Sequence, residues 1–335
     1  MTNRERVTRA IGFERPDRVP IMHTALPAAF IAYGAELVEL LREFPDDFGF
    51  YLEGKIPTSE ELHPTYRLGR HTDEWGCVWE NEQEGLLGIC VGHPLADWSN
   101  WSSFKFPEIP SLEDVIKTQN RGESDLYVFG FGFNLFERMQ FLRGYEALMF
   151  DLALKTNEAY MLRDALVEWS VEYARRSAEA NIDGMPYADD WGTQLSLIIS
   201  PAAWREFFKP AYARMFEPAK SKGKHVHFHS DGYTIEIIPD LIDVGVDVLN
   251  VQHAIMDIKQ LGREFGGRVA FRSDLDRQHI LPHGSRQQIR DHVKEVIDCL
   301  GSFDGGLIGH GEIAPDVPLE NIRYALEAWR DFGNY

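Results

Sequence analysis

The chain is poor in cysteine and in positive charge, and it has no long apolar run. Three cysteines in 335 residues, Cys77, Cys90 and Cys299, are too few and too scattered for a disulfide framework or a CxxC redox motif. No apolar run reaches the roughly 20 residues of a membrane-spanning helix, and the charged start MTNRERVTRAIGFERPDRVP lacks the apolar core of a secretory signal. A cytoplasmic location is the resulting expectation. Lys plus Arg number 34 against 53 Asp plus Glu, a formal charge of −19, which repels phosphate backbones and anionic lipid. Nucleic acid and membrane are therefore excluded as expected partners, leaving a small-molecule substrate. No glycine–serine linker or short repeat divides the sequence, so 1–335 reads as one domain. No GxGxxG or P-loop follows any strand, and GFGFNLF at 130–136 has the wrong spacing for a dinucleotide fingerprint.

What is present is alternation. Leu162, Leu166, Trp169 and Tyr173 mark a helix over 158–180, broken at Asn181–Gly184. Ser200-Pro201 reads as an N-cap with proline at the first helical position, and Ser285 with Gln288 as a capping box. Between the helices lie short β-rich runs at 184–188, 225–229, 247–251, 268–272 and 306–309. Five consecutive strand–helix units predict parallel strands with helical crossovers. Without a nucleotide fingerprint, a (β/α)8 barrel is preferred to an open sheet. Val19–Met22 and Leu126–Phe129 resemble further barrel strands, with an elaborated, aromatic-rich insertion between them.

Polar residues collect directly after each run: Asp189, Asp190, Trp191 and Gln194; His229, Asp231 and Gly232; Gln252 and His253; Asp274, Asp276 and Arg277; His310 and Glu312. In a barrel these positions converge on the face where catalytic loops are built. His225, His227 and His229 alternate along one strand and point the same way. The first two read as metal ligands or as hydrogen-bonded core histidines, while His229, at the strand end, is a ligand or acid/base candidate. Adjacent acids point to different sides, so one of Asp189 and Asp190 faces the site and the other packs beneath it. Trp191 is a pocket wall or a core aromatic. Gln252 and His253 either face the site or satisfy loop carbonyls, and Asp274, Asp276 and Arg277 form a site or an internal ion network. Glu312, flanked by glycine, is easily placed beside a metal. The stretch Asp73-Glu74-Trp75-Gly76 with Trp79 is a cover over substrate or a capped turn with packed indoles. A surface salt bridge is the simplest reading of Glu137 and Arg138.

The phrases NRERVTRAI…ERPDRVPI, DEWG, ADDWGTQ, HFHSDG, LNVQH, SDLDRQHILPHGS and IAPDVPLENI, in this order along the whole chain, resemble the uroporphyrinogen decarboxylase superfamily. The resemblance implies a (β/α)8 barrel. True uroporphyrinogen decarboxylases hold their acidic macrocycle with an arginine-rich N-terminal motif, and this chain has no arginine between Arg18 and Arg42. The opening phrase is closer to the zinc-dependent, corrinoid-linked methyltransferases. In that branch a His-x-Cys motif and a distant cysteine bind the metal. Here His229 matches the histidine, Asp231 stands at the first cysteine, and Gly311 or Glu312 at the second. The expectation is an oxygen-rich zinc site of His229, Asp231 and Glu312. Asp190, His253, His310 and Arg277 are expected to be catalytic, and Trp191, Gln194, Gln252, Asp274 and Trp75 to bind substrate. The implied activity is methyl transfer between a small methoxylated substrate and a corrinoid carrier protein. Two rival readings are a decarboxylase or lyase for a smaller acid, with Arg272 or Arg277 on its carboxylate, and a non-catalytic binding protein.

Overall fold

A computed structural model of the chain describes residues 1–49, 56–119 and 124–335. Its short strands are β1 (Thr24–Ala25), β2 (Gly69–Thr72), β3 (Val78–Asn81), β4 (Ile89–Gly92), β5 (Gly184–Ala188), β6 (His225–Ser230), β7 (Val248–Val251), β8 (Ala270–Arg272), β9 (Leu307–Ile308) and β10 (Glu312–Ile313). Strands β5 to β9 lie side by side in sequence order, all parallel, at the five runs the sequence predicts. The helix Asn157–Ala178 covers the predicted 158–180, and Ser200 and Ser285 accept from the backbone N–H of Ala203 and Gln288 as caps. The expected single helix after Ser200 is two, Pro201–Phe207 and Lys209–Ser221, because Pro210 opens a second first turn.

Backbone hydrogen bonds close the five strands into a ring. Gly309 N–H donates to Pro20 O and Met22 N–H to Gly309 O; Asp47 N–H donates to Ile21 O, Tyr127 N–H to Asp47 O, and Gly130 N–H to Gly184 O. Segments 20–22, 46–48 and 127–130 are thus the remaining staves of an eight-stave (β/α)8 barrel, and β1 pairs with β10 to extend the first and last staves at the mouth. The stave at 46–48 lies inside what the sequence reads as insertion. The rest of the insertion carries the antiparallel sheet β2–β3–β4. There Asp73 accepts from Trp75 N–H, Cys77 N–H and Trp79 Nε1–H, which makes the DEWG segment a capped turn with packed indoles.

Helix α1 (Asn3–Ile11) closes the bottom of the barrel. Val7 and Ile11, one turn apart, pack among Met22, Phe48, Tyr127, Val248, Ala270 and Ile308. Each such buried side chain contributes roughly 2–3 kcal/mol. The Tyr127 hydroxyl meets His225 Nδ1 and His227 Nε2, both at 2.9 Å, so those histidines are hydrogen-bonded at the base of the barrel. Asp47 has no exposed surface. Its carboxylate accepts from Arg6 at 2.6 Å, Arg18 at 2.9 and 3.0 Å, and Ile21 N–H at 2.7 Å, joining α1 to the first two staves. Among the described residues, no helix is long and apolar enough to cross a membrane. Removing one partner of a buried ion pair leaves the other uncompensated. Asp47→Ala is therefore expected to lower the unfolding free energy by about 3 kcal/mol in a urea titration. A loss below about 1 kcal/mol, as for a surface pair, would contradict this role.

Candidate functional site

The mouth holds a cavity of about 370 Å³ whose lining includes His229, Asn250, Arg272, Asp274, Arg277, His310 and Glu312. His229 ends β6 and is paired in register with Asn250 on β7. Its Nδ1 lies 2.8 Å from Asn250 Oδ1. The orientation of the Asn250 amide is fixed on both sides: Nδ2 donates to Arg272 O at 3.0 Å, and Oδ1 accepts from Arg272 Nη2. Oδ1 is an acceptor, so His229 Nδ1 carries a proton and Nε2 is the ring atom turned to the mouth. Nε2 faces two carboxylate oxygens, Asp190 Oδ1 at 3.6 Å and Asp231 Oδ1 at 3.5 Å. Three electron-rich atoms converging in this way repel one another unless a cation or a proton lies among them. For a tetrahedral zinc with usual bond lengths, neighbouring ligand atoms are about 3.4 Å apart.

Asp190 enters the group because β5 ends at Ala188, two residues earlier. Asp189 turns beneath the mouth and accepts from Leu135 N–H, Glu137 N–H and the Tyr212 hydroxyl, while Asp190 turns the other way. Asp190 Oδ1 also accepts from Asp231 N–H at 2.8 Å, tying the two loops together. Their backbones touch: a Cβ on Gly232, whose φ is +85°, would lie 2.1 Å from Gly192. Only glycine fits both demands. Gln252, expected at the substrate, instead accepts from Gly232 N–H at 2.9 Å and holds this turn.

Glu312 does not join His229. From β10 its carboxylate reaches Arg277 Nη1 at 3.2 Å, and the same guanidinium pairs with Asp231 Oδ2 and lies 3.9 Å from Asp274. Among the described residues, the group with His229 and Asp231 that could hold a metal ion is completed by Asp190, while Glu312 pairs with Arg277. Asp231 thus spends one oxygen on Arg277, while its buried Oδ1 has no hydrogen-bond partner. Arg272 Nε, Asp274 Oδ1 and His310 Nε2 are likewise buried without partners at the cavity wall. His310 Nδ1 lies 2.7 Å from Ser273 O and carries the proton; burial, then the Arg272 charge, holds its imidazole well below the ordinary range. Burial pushes the Asp274 carboxyl up to about 6, with Arg277 and His229 pulling it down, and burial also raises Asp190.

Four expected residues stand apart from the cavity. His253 is buried in a 3-10 turn beside His292, where burial lowers it to about 3. Trp191 is a core aromatic, stacked on Phe136 at 4.3 Å and donating from Nε1 to Tyr212. Gln194 lies exposed on the loop after β5. Trp75 lines a neighbouring cleft under Arg138, which stacks on it at 4.7 Å and pairs with Asp73.

Two residues emerge only from the structure. Asn250 is a lone amide in an apolar strand, a signal visible in VLNV. Glu137, expected on the surface, is drawn over Asp189 by its own N–H bond. Burial, then Asp189 and Asp190, push its carboxyl up to about 8. The folded chain holds that proton more tightly than the unfolded one. Stability from Glu137 is therefore greatest below the ordinary value of 4.5 and declines as pH rises to about 8. Glu137→Gln is expected to flatten the fall in Tm between pH 5 and pH 8, and an unchanged pH slope would contradict the shift.

Residues 97–332 match the family model described as uroporphyrinogen decarboxylase (URO-D). A uroporphyrinogen decarboxylase of Thermus thermophilus is 31% identical over 171 residues, 50% of this chain and 47% of that protein. One from Nostoc punctiforme is 26% identical over 167 residues, 48% and 43% of the two chains. The chain thus spans about half the length of these curated relatives. A solved structure, a methyltransferase from Methanosarcina mazei, superposes with a TM-score of 0.71 at 21% identity over 99% of both chains, and shares the fold.

Proposed function

Because this chain belongs to the uroporphyrinogen decarboxylase family, we propose that it is a metal-dependent methyltransferase, a single barrel domain over 1–335 that moves a methyl group between a small methoxylated substrate and a corrinoid carrier protein. The observation that carries the metal is His229 Nε2 directed at two carboxylate oxygens, one of them the partnerless Asp231 Oδ1. His229, Asp190 and Asp231 would hold one divalent cation, zinc by the nitrogen and oxygen donors, with a position left open. A cation there supplies Lewis-acid polarisation of the substrate's oxygen.

The chain's own groups supply the rest. Arg277 balances Asp231 and Glu312 and keeps Asp231 Oδ1 turned toward His229. Asn250 fixes the tautomer of His229. His253 and His310 are too weakly basic to carry a proton near neutral pH. Asp274, at about 6, is the cavity carboxyl matched to protonating a leaving oxygen. Four carboxyls, Asp190, Asp231, Asp274 and Glu312, stand at the mouth against the guanidinium groups of Arg272 and Arg277, while Glu137 keeps its proton up to about pH 8 and adds no charge, and Arg18 is held at Asp47. A polycarboxylate macrocycle meets net repulsion there, so no turnover of uroporphyrinogen is expected.

The partnerless Arg272 Nε favours one alternative, a decarboxylase acting on a smaller acid. Scoring methyl loss and carbon dioxide release together, over candidate substrates with a corrinoid protein present, separates the two. Under the leading reading, His229→Ala abolishes both zinc retention and methyl transfer, and Asn250→Ala weakens zinc binding by about 10–100-fold. Asp274→Asn is expected to keep zinc but lose about 10²–10⁴ in rate. Zinc-free wild-type protein from zinc-supplemented growth, with no rise in Tm on adding zinc, would overturn the metal assignment.

A further inference from the structure

Two thiols meet far from the mouth, in the sheet of the insertion. Cys90 lies on β4 opposite Trp79 of β3, and Cys77 precedes Trp79 by two residues. Cys77 stands one residue before β3, whose register against β4 shifts between Val78 and Trp79, so the neighbourhood of the two sulfurs rests on their shared acceptor. Both sulfurs converge on one oxygen, the Phe141 carbonyl, at 3.4 Å from Cys77 Sγ and 3.6 Å from Cys90 Sγ. That carbonyl belongs to the last turn of the helix Leu135–Arg143, where carbonyls lack a helical partner. His93 Nδ1 reaches the same oxygen at 2.8 Å and lies 3.6 Å from Cys90 Sγ.

A carbonyl oxygen offers two lone pairs, and three donors compete for this one. Cys90 Sγ also lies 3.6 Å from Gly92 O, which gives it a second acceptor. The two thiols perturb each other: Cys77, with His93 contributing, draws Cys90 down to about 7, and Cys77 is pushed up. Cys77 is fully buried, whereas Cys90 is half-buried on an edge strand between exposed Ile89 and Val91. An accessible, readily ionised thiol beside a sheltered one matches the demands of peroxide attack followed by resolution.

We propose that Cys77 and Cys90 form a redox pair which a hydroperoxide closes into a disulfide. The Cys90 sulfur attacks one peroxide oxygen, the O–O bond breaks, and water or an alcohol leaves, giving a Cys90 sulfenic acid. The Cys77 sulfur then attacks the Cys90 sulfur, and the hydroxyl leaves as water with the Cys77 proton. Two thiols are oxidised and one peroxide is reduced. Closure removes two of the three donors from the Phe141 carbonyl and leaves His93 to cap the helix.

The test uses the whole reduced protein, exposed to hydrogen peroxide, alkylated and mapped by mass spectrometry without reduction. The expected product is a peptide joining Cys77 to Cys90, two hydrogens lighter, with Cys299 still alkylatable. Burial raises the Cys299 thiol, so Cys90 should react with iodoacetamide at pH 7 at least about tenfold faster. Cys77→Ser should stop the reaction at a Cys90 sulfenic acid that dimedone traps, and Cys90→Ser should give neither disulfide nor adduct. Failure to form the joined peptide in wild-type protein, or oxidation of Cys299 as fast as Cys90, would overturn the proposal.

Discussion

One hydrogen bond sets what the mouth of this barrel can hold, the bond from His229 Nδ1 to Asn250 Oδ1. It commits one imidazole proton to the neighbouring strand and leaves Nε2 facing Asp190 and Asp231, where a proton or a cation meets the two carboxylates. The bond is reliable because Arg272 secures the Asn250 amide from the next strand. Three consecutive barrel strands therefore orient His229, while Asp190 and Asp231 reach it from the loops after β5 and β6.

The rest of the fold serves that geometry. Asp47 joins the bottom helix to the first staves, and the ring it helps to close brings the ends of β5 and β6 together. Gly192 and Gly232 let the loops after those strands touch, which sets Asp190 beside Asp231. Arg277 then occupies one oxygen of Asp231 and one of Glu312. A pocket with more carboxyls than guanidinium groups, and with Arg277 already paired, suits a cation and a small substrate better than a polyanion.

Much of this is legible in the sequence because local physics carries it. Apolar runs with acids or histidines at their ends mark β5 to β9, and Ser200-Pro201 and Ser285 with Gln288 mark helix starts. The stave at 46–48 is hidden because Asp46 and Asp47 are acidic, and remote partners make their burial tolerable: Arg6 and Arg18 at Asp47, and His23 N–H at Asp46. Glu312 is misread for a related reason. Its spacing beside glycine suits a ligand, but a guanidinium 35 residues away claims it. His253 follows a strand as the other polar residues do, yet a 3-10 turn carries it behind the barrel wall. In each case the deciding partner is remote in the chain, where periodicity and capping carry no signal.

Cobalt(II) substitution tests the central claim most directly, since its visible spectrum reports ligand number and geometry as well as binding. One equivalent added to metal-free wild-type protein should give the intense absorption of a four-coordinate ion, and Asp190→Asn should weaken or abolish it while Glu312→Gln leaves it in place. A featureless spectrum in the wild type, or one lost with Glu312→Gln and kept with Asp190→Asn, would contradict a site built from His229, Asp190 and Asp231.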